Sequence, residues 1–165
     1  MHWSLMQRID EFLLKLLLPV LILLYRVTGG RIAGSMNGTA VLLLTTTGRR
    51  SGKQRTVPLS YIKDASSYVI AATNGGRDSQ PGWLLNVRAH PQVTLQVRNQ
   101  AMKAEAEIVG PERRRELWER FVQDAPHIYE GLQARTTRAF PLVIFHLLNG
   151  RPEEREGHAF SLLNH

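Results

Sequence analysis

The strongest chemical signal in the chain is a turn. Residues 45–55 read Thr-Thr-Thr-Gly-Arg-Arg-Ser-Gly-Lys-Gln-Arg. Hydroxyls, two glycines and four cations (Arg49, Arg50, Lys53 and Arg55) converge there, with Ser51 between them. Free backbone N–H groups, hydroxyls and guanidinium forks together suit a phosphate or a row of carboxylates. A solvated basic hairpin turn has the same composition, and residues alone leave both readings open. A P-loop is excluded: no Gly-Lys-Ser/Thr triplet closes the turn and no helical pattern follows it.

A second signal lies downstream. Ala71, Ala72 and Thr73 end an apolar run with small side chains, and Asn74, Gly75 and Gly76 follow. Small residues let a backbone approach a flat ring closely. Tyr61 and Trp83 offer aromatic surface, although Trp83 reads equally well as core. Asn86 falls three residues after Trp83, on the same helical face. A basic turn beside a small-residue strand suggests a flat, phosphorylated, flavin-like ligand.

Composition narrows the chemistry. There is no cysteine, hence no disulfide, no thiolate metal site and no redox thiol, and redox work needs a borrowed cofactor. The histidines are scattered without ligand spacing, so no metal is expected. Ser51 has no Gly-x-Ser-x-Gly elbow. Net charge is +7, and between Phe12 and Ala104 twelve Lys/Arg face only Asp64 and Asp78. Such a field favours an anionic ligand or surface. Nucleic acid is not expected, because aromatic residues do not interleave with the basic run.

These residues need elements to hold them. The 165 residues suit one domain with a sizeable core. Phe12–Tyr25 is apolar but too short to span a bilayer, and Lys15 and Pro19 interrupt it. It is either a helix docked on protein or one lying in a membrane interface over residues 5–26. Thr28 to Gly38 reads as a glycine-rich linker. Strands are expected over Val41–Thr47, Thr56–Lys63, Tyr68–Ala72, Gln92–Val97, Ala101–Val109 and Pro141–Leu147. Pro58 puts its strand at an edge or a bulge. Helices are expected over Gly82–Ala89, Pro111–Asp124 and Pro126–Arg138. The fold class is mainly β with inserted helices (α+β): an antiparallel split β-barrel of about six strands. The expected division is an N-terminal helix and linker (1–38), a barrel (39–148) and a polar tail (149–165).

At this point three runs of sequence resemble the deazaflavin-dependent nitroreductase family, reductases using coenzyme F-420 and related to FMN-binding split-barrel proteins. The first is Leu42 to Leu59 with its Thr-Thr-Thr-Gly turn. The second is Val69 to Gly76. The third is Pro81 to Val93, with Trp83, Asn86, Ala89 and Pro91 at the family's spacing. The resemblance implies an oxidoreductase that passes a hydride from the reduced deazaflavin to a quinone-like acceptor. It implies that Arg49, Arg50, Ser51, Lys53 and Arg55, with Thr56, Val57, Pro58, Leu59 and Ser60, hold the coenzyme's phosphate and carboxylate tail. It further implies that Ala71, Ala72, Thr73 and Asn74, with Gly82, Trp83, Leu84, Leu85 and Asn86, line the ring. Where some members carry a lysine before the Gly-Gly, this chain has Asn74. Where a tyrosine shapes the pocket of nitroimidazole-activating members, it has Ile128, with Tyr129 adjacent. Tyr129 and Ser60 are the candidate proton donors. FMN in the same fold, or a non-catalytic flavin or lipid carrier, is the alternative. The expected setting is cytoplasmic, with peripheral attachment to the inner face of the cell membrane and pairing into a homodimer left open.

Overall fold

The computed structural model describes the backbone of residues 3–148 and the side chains of residues 16–148. The tail expected over 149–165 lies outside them. In chain order the elements are α1 (Trp3–Thr28), β1 (Ser35–Met36), β2 (Thr39–Thr47), β3 (Gln54–Ser60), β4 (Ile62–Asp64), β5 (Ser67–Ala71), a 3-10 turn (Asn74–Gly76), α2 (Gly82–Ala89), β6 (Gln92–Val97), β7 (Gln100–Ile108), α3 (Pro111–Asp124), α4 (Pro126–Gln133) and β8 (Leu142–Leu147). All six expected strands are present. One of them is divided in two, and one short strand, β1, is added among the described residues.

The strands form one antiparallel curled sheet, β1-β2-β6-β7-β8-β5-β4, with β3 along the other edge of β2. Its ends nearly meet, because β3 runs through Tyr61 directly into β4. The expected strand Thr56–Lys63 is therefore two strands. The first half pairs with β2, from Val41↔Ser60 to Thr47↔Gln54. The second half pairs with β5, from Asp64↔Ser67 to Ile62↔Val69. Ser60 and Ala71 would be two steps further along that second ladder, but the chain bends at Tyr61 and the ladder stops. A split opens between β3 and β5. This is the split β-barrel.

Alternation of side chains sorts the two faces of the sheet. Leu42, Leu44, Ile70, Leu95, Val143 and Phe145 point inward and are buried to 1% exposure or less. α2 plugs one end of the barrel with Trp83, Leu84 and Val87. Each such side chain, fully buried, contributes about 1.5–3 kcal/mol. On the outer face, Val69, Leu142 and Ile144 pack against α3 and α4 through Leu117, Phe121 and Tyr129. Asp64 at the end of β4 pins α3, pairing with Arg113 and, at 2.7 Å, with Arg120.

α1 is longer than the expected Phe12–Tyr25 segment, and Pro19 lies inside it without ending it. Tyr25 and Ile22 pack on Val41 and Leu43 of the outer face. The Tyr25 hydroxyl donates to the Val41 carbonyl at 3.0 Å and accepts the Arg98 N–H at 3.0 Å. Leu16, Leu17, Val20, Leu23 and Val27 stay more than half exposed. Among the described residues, no helix is long and apolar enough to cross a membrane. The expected linker over Thr28–Gly38 is only partly one. Its last residues form a hairpin, Met36↔Thr39, around Asn37 (φ 52°) and Gly38 (φ 82°). Asn-Gly is the dipeptide that a two-residue hairpin turn with positive φ demands.

Candidate functional site

The basic turn is built tightly. Gly48 N–H donates to the Lys53 carbonyl and Gly52 N–H to the Gly48 carbonyl, both at 2.8 Å. A Cβ at Gly48 would lie 2.7 Å from Ser51 Oγ, and Gly52 has φ +65°, so the turn needs both glycines. The Ser51 hydroxyl accepts the Lys53 N–H at 3.3 Å. Arg49, Arg50, Lys53 and Arg55 project into solvent, all exposed. Among the described residues, no carboxylate lies within ion-pairing distance of them.

Asn86 fixes this turn to the barrel. It stands on α2, 8% exposed. Its Nδ2 donates to Thr46 Oγ1 at 3.0 Å and its Oδ1 accepts the Arg49 N–H at 3.2 Å. The side chain expected to line a ring instead clasps the turn. The same helix starts at Gly82 after Pro81, with no side chain capping its first N–H groups.

The split supplies the second half of the site. Tyr61 N–H bonds to the Ala40 carbonyl, so odd-numbered residues of β3 bond to β2 and Thr56, Pro58 and Ser60 turn their backbone groups to the open edge. Across the split, Ala72 N–H bonds to the Pro141 carbonyl. The Ala71 N–H therefore points the other way, toward the gap beyond Ile62↔Val69, while its carbonyl accepts the Thr73 N–H at 2.9 Å. β3 and β5 still approach one another closely. The β3 edge, unpaired on this side, runs back from Tyr61 to the basic turn.

The structure places the other expected site residues as follows. Trp83 is 7% exposed and packs on Phe145, ring centroids 6.5 Å apart. Leu84 and Ala72 are fully buried in the barrel. All three side chains belong to the barrel core. Val57 and Leu59 pack on the barrel core from the half-buried edge. Leu85 is half-buried and Gly82 exposed. Ala71 packs toward α3 and α4. The Thr56 hydroxyl is shared with Thr45 at 2.8 Å, and Ser60 Oγ with Thr39 Oγ1 at 2.8 Å. Thr39 in turn donates to the Met36 carbonyl. That hydroxyl is tied to the outer face and is a poor proton donor for the slot. Thr73 and Asn74 are half-buried beside it, and the Asn74 amide donates within its own loop to the Ser79 carbonyl at 3.0 Å.

Tyr129 fails the same test. It is 5% exposed and sits edge-on to Phe121 at 5.0 Å and to Trp118 at 5.8 Å. Burial, with the Asp124 charge as a lesser cause, pushes its phenol up to about 12. Its neighbour Ile128 packs on the same cluster from the rim. It lines a cavity of about 610 Å³ with Asn37, His127, Gly131, Leu132 and Arg135. Sequence reasoning missed a further residue, Arg138. Its guanidinium donates to the carbonyls of Thr73 (3.1 Å) and Arg77 (2.9 Å) and lies 4.9 Å from the Phe140 ring centroid. It holds the Thr73–Arg77 loop in place. The only trace in the sequence is an arginine two residues before a phenylalanine.

Residues 20–146 match the family model described as F420H(2)-dependent quinone reductase. The chain belongs to that family. An F420H(2)-dependent quinone reductase of Mycobacterium tuberculosis is 35% identical over 124 residues, covering 73% of this chain and 83% of its own. A solved F420-H2-dependent reductase superposes with a TM-score of 0.59 at 34% identity, over 64% of this chain and 93% of its own. A second solved chain, described as a domain-swapped dimer, matches at TM-score 0.59 and 32% identity, over 69% of this chain and 89% of its own. The protein is thus an oxidoreductase of the split-barrel class.

Proposed function

We propose that this F420H(2)-dependent quinone reductase family member transfers a hydride from reduced coenzyme F-420 to a quinone-like acceptor in the slot between β3 and β5. The observation that carries the reading is the unneutralised cationic turn, locked by Asn86 to α2 and running into the unpaired edge of β3. Those parts suit the group: a phosphate and a carboxylate tail meet Arg49, Arg50, Lys53, Arg55 and the first N–H groups of α2. A flat heterocycle with hydrogen-bonding edges meets the open backbone groups of Thr56 and Ser60 and the Ala71 N–H. FMN lacks a carboxylate tail to use the outer arginines, and the family description names the deazaflavin.

When bound, the reduced deazaflavin supplies the hydride. The chain supplies proximity and orientation. Asn86 and Arg138 hold the two ends of the slot in register. Neither Ser60 nor Tyr129 is placed to hand over a proton, so acceptor protonation falls to solvent entering at the exposed rim. Arg50→Ala combined with Arg55→Ala should weaken binding of oxidised coenzyme, followed by its visible absorbance, by roughly tenfold to a hundredfold. Two exposed charged contacts, discounted for screening, are together worth about 1.5–3 kcal/mol. Unchanged affinity would remove the basis of the assignment.

A lipid-soluble acceptor gives α1 a second role in this reading. Exposed leucines and valines beside Arg26 and Arg31 suit the headgroup boundary of an anionic membrane. Co-sedimentation with anionic vesicles that survives loss of residues 1–30 would rule this out. Two copies per particle is the assembly this reading expects, and light scattering on the purified protein checks it.

A further inference from the structure

A groove runs between α1 and the strand that borders the slot. Leu18, Ile22 and Arg26 fall four residues apart, on one stripe of the helix. With Gln54, Arg55 and Thr56 of β3 they line a cavity of about 580 Å³, inside the range of small-molecule sites, roughly 300–1,000 Å³. Groove and slot are continuous. Thr56 lines the first and turns its backbone groups toward the second. The opposite stripe of α1, with Leu16, Val20 and Val27, stays exposed on the far side.

Arg26 is the residue in this groove that folding does not account for. The last turn of a helix favours a cation, which explains an arginine near this position but not where its head goes. The guanidinium reaches across to β3, where Nη2 donates to Thr56 Oγ1 at 3.4 Å. A guanidinium carries five N–H donors, so most of its capacity is unspent on that one long contact. Among the described residues, no carboxylate lies within ion-pairing distance of it. The chain has no Asp or Glu at all from residue 16 to residue 63. Arg55, likewise unneutralised, lines the same cavity. The helix that carries Arg26 is firmly seated, because Tyr25 beside it is 1% exposed and bonds through its hydroxyl to the Val41 carbonyl at 3.0 Å. Two cations thus stand over an apolar bank. A tail of linked glutamates fits such a groove, its methylenes against Leu18 and Ile22 and its carboxylates on the guanidinium forks.

Building on the quinone-reductase reading, we infer that α1 forms the second bank of the coenzyme's tail site, with Arg26 binding a tail carboxylate alongside Arg55, so that affinity rises with tail length. The test is Arg26→Gln in the full-length protein, which keeps a donor for Thr56 and removes the charge. The probes are oxidised coenzyme bearing several glutamates and the same coenzyme stripped of them, each titrated by its visible absorbance. Arg26→Gln should weaken binding of the glutamate-bearing form by roughly threefold to tenfold, the scale of one exposed charge-assisted contact, and leave the stripped form within about twofold. The loss should shrink as salt is raised. A variant that had merely loosened α1 would lose both forms alike. Equal losses with the two forms, or no loss with either, would overturn the inference. Loss of binding to anionic vesicles alone would assign the groove to a lipid headgroup and overturn it too. If the unaltered protein binds neither form, the quinone-reductase reading fails and takes this inference with it. Glutamate-bearing coenzyme held equally well by Arg26→Gln, yet weakened by Arg50→Ala with Arg55→Ala, defeats the inference alone.

Discussion

Replacing Asn86 by alanine tests how the site is held. The side chain is 8% exposed and makes two hydrogen bonds, to the Thr46 hydroxyl at 3.0 Å and from the Arg49 N–H at 3.2 Å. Thr46 is 1% exposed, so its hydroxyl loses an amide donor that water cannot replace. The Arg49 N–H, nearer the surface, recovers water at part of the value. Counting about 1–2 kcal/mol for the buried group and about 0.5–1 for the other gives a loss of about 1.5–3 kcal/mol. For a domain of this size that is about 3–12 °C in Tm. Urea unfolding would show the change in midpoint with an unaltered slope. Coenzyme affinity should also fall, by roughly fivefold to tenfold, because the arginines then bind from a turn that must be ordered first. Hydrogen exchange at the Gly48 and Gly52 amides should quicken. A loss under about 0.5 kcal/mol, with coenzyme affinity intact, would mean that the two backbone bonds hold the turn alone, and the clasp argument would be wrong.

Other outcomes follow from the same geometry. Tyr129→Phe should slow turnover far less than the roughly hundredfold that loss of a catalytic acid costs, and should leave the pH profile of kcat in place. Arg138→Lys should speed exchange at Gly76 and raise KM for the acceptor, because one ammonium cannot reach the separate carbonyls of Thr73 and Arg77 as a guanidinium does. Asp64→Asn should lower Tm at neutral pH. Hydrogen bonds from Arg120, then from Arg113, hold the Asp64 carboxyl below its ordinary 3.8. The stabilisation is therefore present above that value and is lost as pH falls through the lower folded one. The Tm gap between variant and unaltered protein should close in strong acid, and a gap that widens there would refute the pairing.

Local signals in the sequence were read well because their causes are local. Gly48, Gly52 and the cations between them are neighbours along the chain, and Pro58 announces an unpaired edge from its missing donor alone. Gly82–Ala89 begins after a proline and ends before His90-Pro91. What stayed hidden depends on contacts across the chain. Asn86 meets Thr46 and Arg49 from about forty positions away, and nothing in its own neighbourhood says whether an amide clasps a turn or faces a ring. Trp83 and Ala72 look the same as core or as shelf until the curl of the sheet fixes inside and outside. The bend at Tyr61 is invisible because the strand pattern continues through it. The Asn37-Gly38 turn was legible in principle, but the glycines before it made the whole stretch resemble a linker.

Pro58 has one more consequence. A strand whose outer edge lies bare is a template on which another chain can grow, and long bare edges are how soluble proteins come to form fibrils. The ring of Pro58 removes the central donor from that row, while Thr56 and Ser60 keep theirs on either side. An incoming strand would find its hydrogen-bond register broken in the middle. A small molecule, needing only one or two partners, would not. The barrel can therefore stay permanently ajar for a guest without inviting its own kind.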